Sequence, residues 1–98
     1  MIAVISKFNV RNGMEKEVKE AFRNRPKLVE NAKGFIRLDV ISPVSNPSEI
    51  HLITYWSSIK DFEYWHSNHL KDSHQYIPKG LKIDPQSREL VQYEHITS

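Results

Sequence analysis

Four stretches of this chain alternate with a period of two residues, and in three of them both alternating sets are apolar. In residues 2–10, Val4, Phe8 and Val10 alternate with Ala3 and Ile5. In residues 49–56, Ile50, Leu52 and Trp56 alternate with Ile53 and Tyr55, and in residues 90–97, Leu90 and Ile96 alternate with Val91 and Tyr93. A strand turns successive side chains to opposite faces. These segments therefore predict a sheet that is apolar on both faces. Helices cover one face of such a sheet, and the other is expected to be polar in a monomer. A contiguous exposed apolar patch marks an interface, and its simplest cover is a second copy around a two-fold axis. Single apolar residues scattered on a surface are ordinary, but here three strands share the pattern. The expectation is a homodimer with its sheets face to face.

The segments between the strands read as helices. Val18, Ala21, Phe22 and Val29 form an apolar stripe over Met14 to roughly Asn31. Pro26 has no N–H and clashes with the preceding turn, so it kinks or divides that helix. Gly34 suits a left-handed C-terminal position. Phe35 to Ile41 is the remaining strand, with Ile36, Leu38 and Val40 alternating against Arg37 and Asp39. The breaker-rich loop Pro43 to Pro47 joins it to the next strand as an antiparallel hairpin. Ser57 or Ser58 then caps a second helix, and Ser58 with Asp61 resembles a capping box. Phe62, Trp65, His66, His69 and Leu70 fall in an arc of roughly 140° on that helix. Ser67-Asn68 is a candidate break, with a short turn or helix from His69 to Tyr76 beyond it. The order β-α-β-β-α-β predicts an α+β, ferredoxin-like domain: an antiparallel sheet with helices on one face. Residues 1–98 are taken as one domain.

Composition narrows the chemistry. With 14 Lys and Arg against 12 Asp and Glu, the net charge of +2 gives no case for nucleic-acid or membrane-surface binding. The absence of Cys excludes disulfides, thiol catalysis and Cys-ligated metals. No apolar run reaches the ~20 residues of a membrane span, and no leader pattern opens the chain. A cytoplasmic protein is the expectation. The 3 Gly form no phosphate loop.

Histidines carry most of the remaining chemical potential. His66, His69 and His74 lie within one segment, and a neutral imidazole can act as a base, a proton relay or a metal ligand. His66 and His69, three apart on a helix, could share a metal, but no third ligand is defined. They could equally pack in the amphipathic face. His74 is the strongest single candidate, against the alternative of an exposed helix-terminal His. Trp65, Phe62, Trp56 and Tyr64 are aromatics that suit either a core or a flat ligand. Arg23, Arg25 and Lys27 could clamp a carboxylate or form a solvated face.

Gly34-Phe35-Ile36, the strand Leu52-Ile53-Thr54-Tyr55-Trp56 followed by Ser57, and Phe62-x-x-Trp65 followed by His74 resemble the antibiotic biosynthesis monooxygenase domain of the dimeric α+β barrel superfamily. The resemblance runs from Ile2 to about Ile96. It implies a small homodimer with a pocket between sheet and helices. Some members oxidise aromatic polyketides or quinols with oxygen and neither metal nor flavin. Others bind and degrade haem with an Asn on the first strand, a Trp on the second helix and a His beyond it. Trp65 and His74 match that Trp and His, whereas the Asn position falls on Ser6; Asn9 has the opposite parity. The resemblance thus implies catalytic roles for His74, Trp65 and Ser6, and a pocket lined by Phe8, Phe62, His66 and His69. The reading that follows is a cofactor-independent monooxygenase of a hydrophobic aromatic or quinol-like molecule. The alternatives are a haem-binding or haem-degrading protein with His74 on the iron, or a non-catalytic ligand-binding dimer.

Overall fold

The structure is a computed structural model. It describes residues 1–11, 13–24, 29–74 and 89–98, with the side chains of 69–74 excepted. The sheet is built around β1 (Ile2–Asn9), which pairs antiparallel with β3 (Glu49–Trp56) on one side and β4 (Glu89–Glu94) on the other. β2 (Phe35–Ile41) lies outside β3, giving the order β2-β3-β1-β4. Helices α1 (Glu15–Arg23) and α2 (Ile59–His74) follow β1 and β3. This is the expected α+β, ferredoxin-like fold.

Register decides which residues share a face. Ile5 lies opposite Ile53 and Val91, and Ala3 opposite Tyr55 and Tyr93. One residue away, Ser6 lies opposite Leu52 and Leu90, and Val4 opposite Thr54. The second set faces the helices. Its buried members fall into two clusters. Val4, Val29, Trp56 and Phe62 form one, with Ile2, Phe35 and Trp65 packed against it. Phe8, Val10, Val18 and Ile50 form the other, joined by Met14, Phe22 and Leu52. Ser6 stands between them on β1.

Several local expectations are corrected. The first helix does not run to Asn31: α1 ends at Arg23 with Asn24 as its C-cap, and a separate 3-10 turn spans Val29–Asn31. A proline bars the residue before it from helical dihedrals and removes a donor, so a helix stops upstream of Pro26; Pro26 itself lies outside the described residues. Ser67-Asn68 does not break α2. The Asn68 Nδ2–H group donates to the Tyr64 carbonyl at 2.7 Å, one turn back, which leaves the helix continuous. Ile36 does not alternate with Leu38 and Val40. A β-bulge between Phe35 and Arg37 places Phe35 opposite Trp56, and Ile36 is exposed. One extra residue reverses parity, so Phe35 packs edge-on to Trp56 at 5.5 Å. Strand ends are also shorter than expected, at Asn9 and Glu94.

Two junctions hold the helices to the sheet. Ser58 caps α2: its hydroxyl accepts from the Asp61 amide at 3.2 Å and donates to the Asp61 carboxylate at 3.0 Å. Gly34, at φ +81°, brings its backbone against Asp61, and its carbonyl accepts from the Ser57 amide at 2.8 Å. At the other end, Ser48 donates to Glu15 Oε1 at 2.8 Å, tying α1 to the β2–β3 loop. That bond, the amide of Glu15 itself and nearby Lys19 hold the carboxyl below its usual range; the amide is the largest cause.

Candidate active site

The mid-sheet row Ser6–Leu52–Leu90 lies on the helix side of the sheet, between the two core clusters. Ser6 and Leu52 are half-buried, and Leu90 is 46% exposed. The row is thus less covered than Val4 and Phe8, two residues to either side of Ser6.

Aromatic residues of β3 and α2 bound this row on the side of the Trp56 cluster. Trp56 is fully buried. Its indole N–H donates to Thr54 Oγ1 at 2.9 Å, because a buried donor needs a partner. Phe62 meets it edge-on at 5.8 Å, and Trp65 lies tilted against it at 5.7 Å. One turn after Phe62, His66 is half-buried with its ring 5.3 Å from the Phe62 ring. The spacing Phe62, Trp65, His66 is a single helical face, and the structure turns that face inward. On the other side, Phe22 of α1 lies 6.2 Å from Phe8.

The expected site residues are distributed as follows. Ser6 and Trp65 are both on the helix side of the sheet and half-buried. Phe8 and Phe62 are buried at 6% and 4%, each in a different core cluster. His66 is on the inward face of α2. His69 and His74 belong to the last turns of α2, and their side chains lie outside the described residues. Arg23 is exposed and paired with Glu20 at 2.7 Å; Arg25 and Lys27 lie outside the described residues. Among the described residues no group of three His, Asp or Glu side chains could hold a metal ion.

Sequence reasoning missed Thr54, whose hydroxyl is the acceptor for Trp56. The signal was available: in a strand, Thr54 and Trp56 share a face as i and i+2. It also missed a groove of about 320 Å³ between α1 and β2, floored by Ile50 and rimmed by Lys19 and Arg23.

The opposite sheet face carries Ile5, Ile53, Tyr55, Val91 and Tyr93, with Val91 and Tyr93 exposed. Polar groups at its margins are internally matched. Arg37 pairs with Asp39 at 2.9 Å and stacks over Tyr55 at 4.8 Å, and His51 meets Glu49 at 2.9 Å. No helix among the described residues is long and apolar enough to cross a membrane.

Known proteins share both sequence and architecture with this chain. The curated haem oxygenase (mycobilin-producing) of Mycobacterium tuberculosis is 28% identical over 64 residues, covering 65% of this chain and 61% of that protein. The match thus spans less than two thirds of the curated relative. The structure of the haem-degrader MhuD of M. tuberculosis, with two haems bound in its active site, superposes with TM-score 0.83 at 21% identity. It covers 100% of this chain and 98% of that one. SnoaB, a cofactor-independent oxygenase from Streptomyces nogalater, superposes with TM-score 0.75 at 13% identity, covering 99% and 94%. At these identities the superpositions speak for the fold. The family model for antibiotic biosynthesis monooxygenases matches residues 1–76, from β1 through α2, and the chain belongs to that family.

Proposed function

We propose that this protein is a monooxygenase of a flat, hydrophobic aromatic molecule, bound over the Ser6–Leu90 row and against Trp65. The observation that carries this reading is half-buried Ser6 and half-exposed Leu90 on the helix side of the sheet, beside the core cluster against which Trp65 packs. A flat apolar guest stacked on Trp65 would gain by covering this row. In this reading His74, which follows the inward face of α2, takes a phenolic or benzylic proton. The resulting electron-rich anion reduces oxygen directly. One oxygen atom enters the substrate and the other leaves as water, with all electrons supplied by the substrate. Trp65 walls the ligand, and Phe8, Phe62, His66 and His69 complete the surroundings.

Haem is the second reading, favoured by the match to a haem oxygenase and by Trp65 and His74 at the family's Trp and His. Among the described residues, the Ser6 hydroxyl lies in the row and the His66 ring beside Phe62, and in this reading Trp65 would stack on the porphyrin face. His74 would hold the iron through a neutral imidazole nitrogen. The test is a paired experiment: haem titration followed in the Soret region, and oxygen uptake with a panel of quinols and anthrones. Oxygen uptake lost in His74→Ala supports the first reading. A Soret band lost in the same variant supports the second. Neither signal with any ligand overturns both and leaves the non-catalytic dimer. We further propose that two copies pack through the Ile5, Ile53 and Tyr93 face.

A further inference from the structure

We propose that Thr54 is a positioning residue: its hydroxyl sets the plane of Trp56, and through it the plane of Trp65. The inference rests on the reading of Trp65 as a pocket wall, but its first half stands on geometry alone. Trp56 is wholly buried at the end of β3, and its ring neighbours among the described residues are Phe35, Phe62 and Trp65 at 5.5, 5.8 and 5.7 Å. Contacts between rings tolerate a range of tilts. They close the cage without fixing the angle inside it. Among the described residues, the directional contact is Trp56 Nε1–H to Thr54 Oγ1 at 2.9 Å. An indole nitrogen is a donor only, and a buried donor left unpaired costs more than the bond itself contributes. The ring must therefore aim its N–H edge at residue 54.

Thr54 is itself held. It pairs across the sheet with Val4 on one side and Leu38 on the other, two residues before the end of β3. Its β-branched side chain has few rotamers on a strand. The acceptor is thus fixed by the sheet and Trp56 by the acceptor, and Trp65, tilted 38° to Trp56 at 5.7 Å, packs against a surface whose orientation that bond sets. The sheet reaches the pocket wall through one hydroxyl.

The chain has 2 Trp residues, so the part of the aromatic signal that arises from their coupling is assigned by substituting one of them. Two indoles this close give an exciton couplet in the far-ultraviolet circular dichroism, whose sign and size follow the angle between them. Trp65→Phe should abolish the couplet and so verify its origin. Thr54→Val removes the acceptor at nearly constant shape, and should collapse or invert the couplet; Thr54→Ser should restore it. In the unsubstituted protein, the Trp56 indole N–H should exchange with solvent far more slowly than that of Trp65. That measurement holds even where Thr54→Val fails to fold. A couplet unchanged in a folded Thr54→Val, or a rapidly exchanging Trp56 N–H, overturns the proposal. With a ligand found by the titrations above, Thr54→Val should weaken binding about ten-fold through a misplaced wall, with Thr54→Ser rescuing it. A couplet that responds while ligand affinity does not move would leave the Trp56–Thr54 coupling intact and overturn the pocket role of Trp65 instead.

Discussion

At the scale of single residues, the structure turns on positions where one atom more or fewer changes what fits. Gly34 has φ +81°, and a Cβ there would overlap the Asp61 side chain. Gly34→Ala combines an unfavourable backbone with a collision at the α2 cap, so it should cost on the order of 1–3 kcal/mol. A urea midpoint equal to that of the unsubstituted protein would refute this. Ser6 is the opposite case, a small residue. An Asn there would bring both a donor and an acceptor further over the row, where Ser offers a shorter hydroxyl. If haem is the ligand, Ser6→Asn should raise its turnover with binding retained, as read from the decay of the Soret band under a reductant. These residue-level features differ in how visible they were. The left-handed glycine and the Ser58–Asp61 cap follow from local chemistry and were legible. For the Trp56–Thr54 bond the shared strand face was legible as i and i+2, but that the indole needs a partner follows only from its burial in the structure.

At the scale of elements, periodicity gave the strands and helices, and chain chemistry alone could not place their ends. Pro26 announced a break, but where α1 stops depends on what Asn24 caps. The bulge in β2 was illegible because Ile36 fits an alternating pattern as well as Phe35 does. Packing against Trp56 decided between them. The histidines of α2 stand close together in the sequence, and of their side chains only that of His66 is described, beside Phe62. Their roles were not legible, since one helical face can hold core, ligand and solvent positions in succession. α1 offers a titration test. The Glu15 carboxyl is held below its usual range by its own amide, Ser48 and Lys19. A carboxyl with a lowered folded-state pKa adds stability above its unfolded pKa, and that contribution is lost as pH falls through the folded value. Glu15→Gln should therefore flatten the acid limb of the stability curve and leave a residual deficit near neutral pH. Parallel acid limbs in the two proteins would contradict the assignment.

At the scale of the whole molecule, the two sheet faces have different expected fates, one shared with the helices and one with a second copy. Ile53 lies opposite Ile5 in the middle of the second face. Ile53→Asp should dissociate the proposed dimer, since an unpaired buried carboxylate costs several kcal/mol. Sedimentation should then show a species near 11.5 kDa where the unsubstituted chain runs at twice that mass. A monomer before substitution would remove the premise. The doubly apolar strands made this face legible from sequence, whereas the matched Arg37–Asp39 and His51–Glu49 pairs along its margin appear only in three dimensions.

The division of the core on either side of Ser6 has a consequence for the protein's life in a cell. In the proposed reading the middle row receives a guest, and the chain then hands part of its cohesion to that guest. Binding to the folded form alone raises stability in proportion to the logarithm of ligand concentration. Marginally stable chains are continually removed by proteases. The amount of this protein should therefore rise and fall with the supply of its ligand, without any change in its synthesis. The turnover of the empty chain would be a sensor in its own right, and pulse-chase lifetimes under different ligand supplies would measure it.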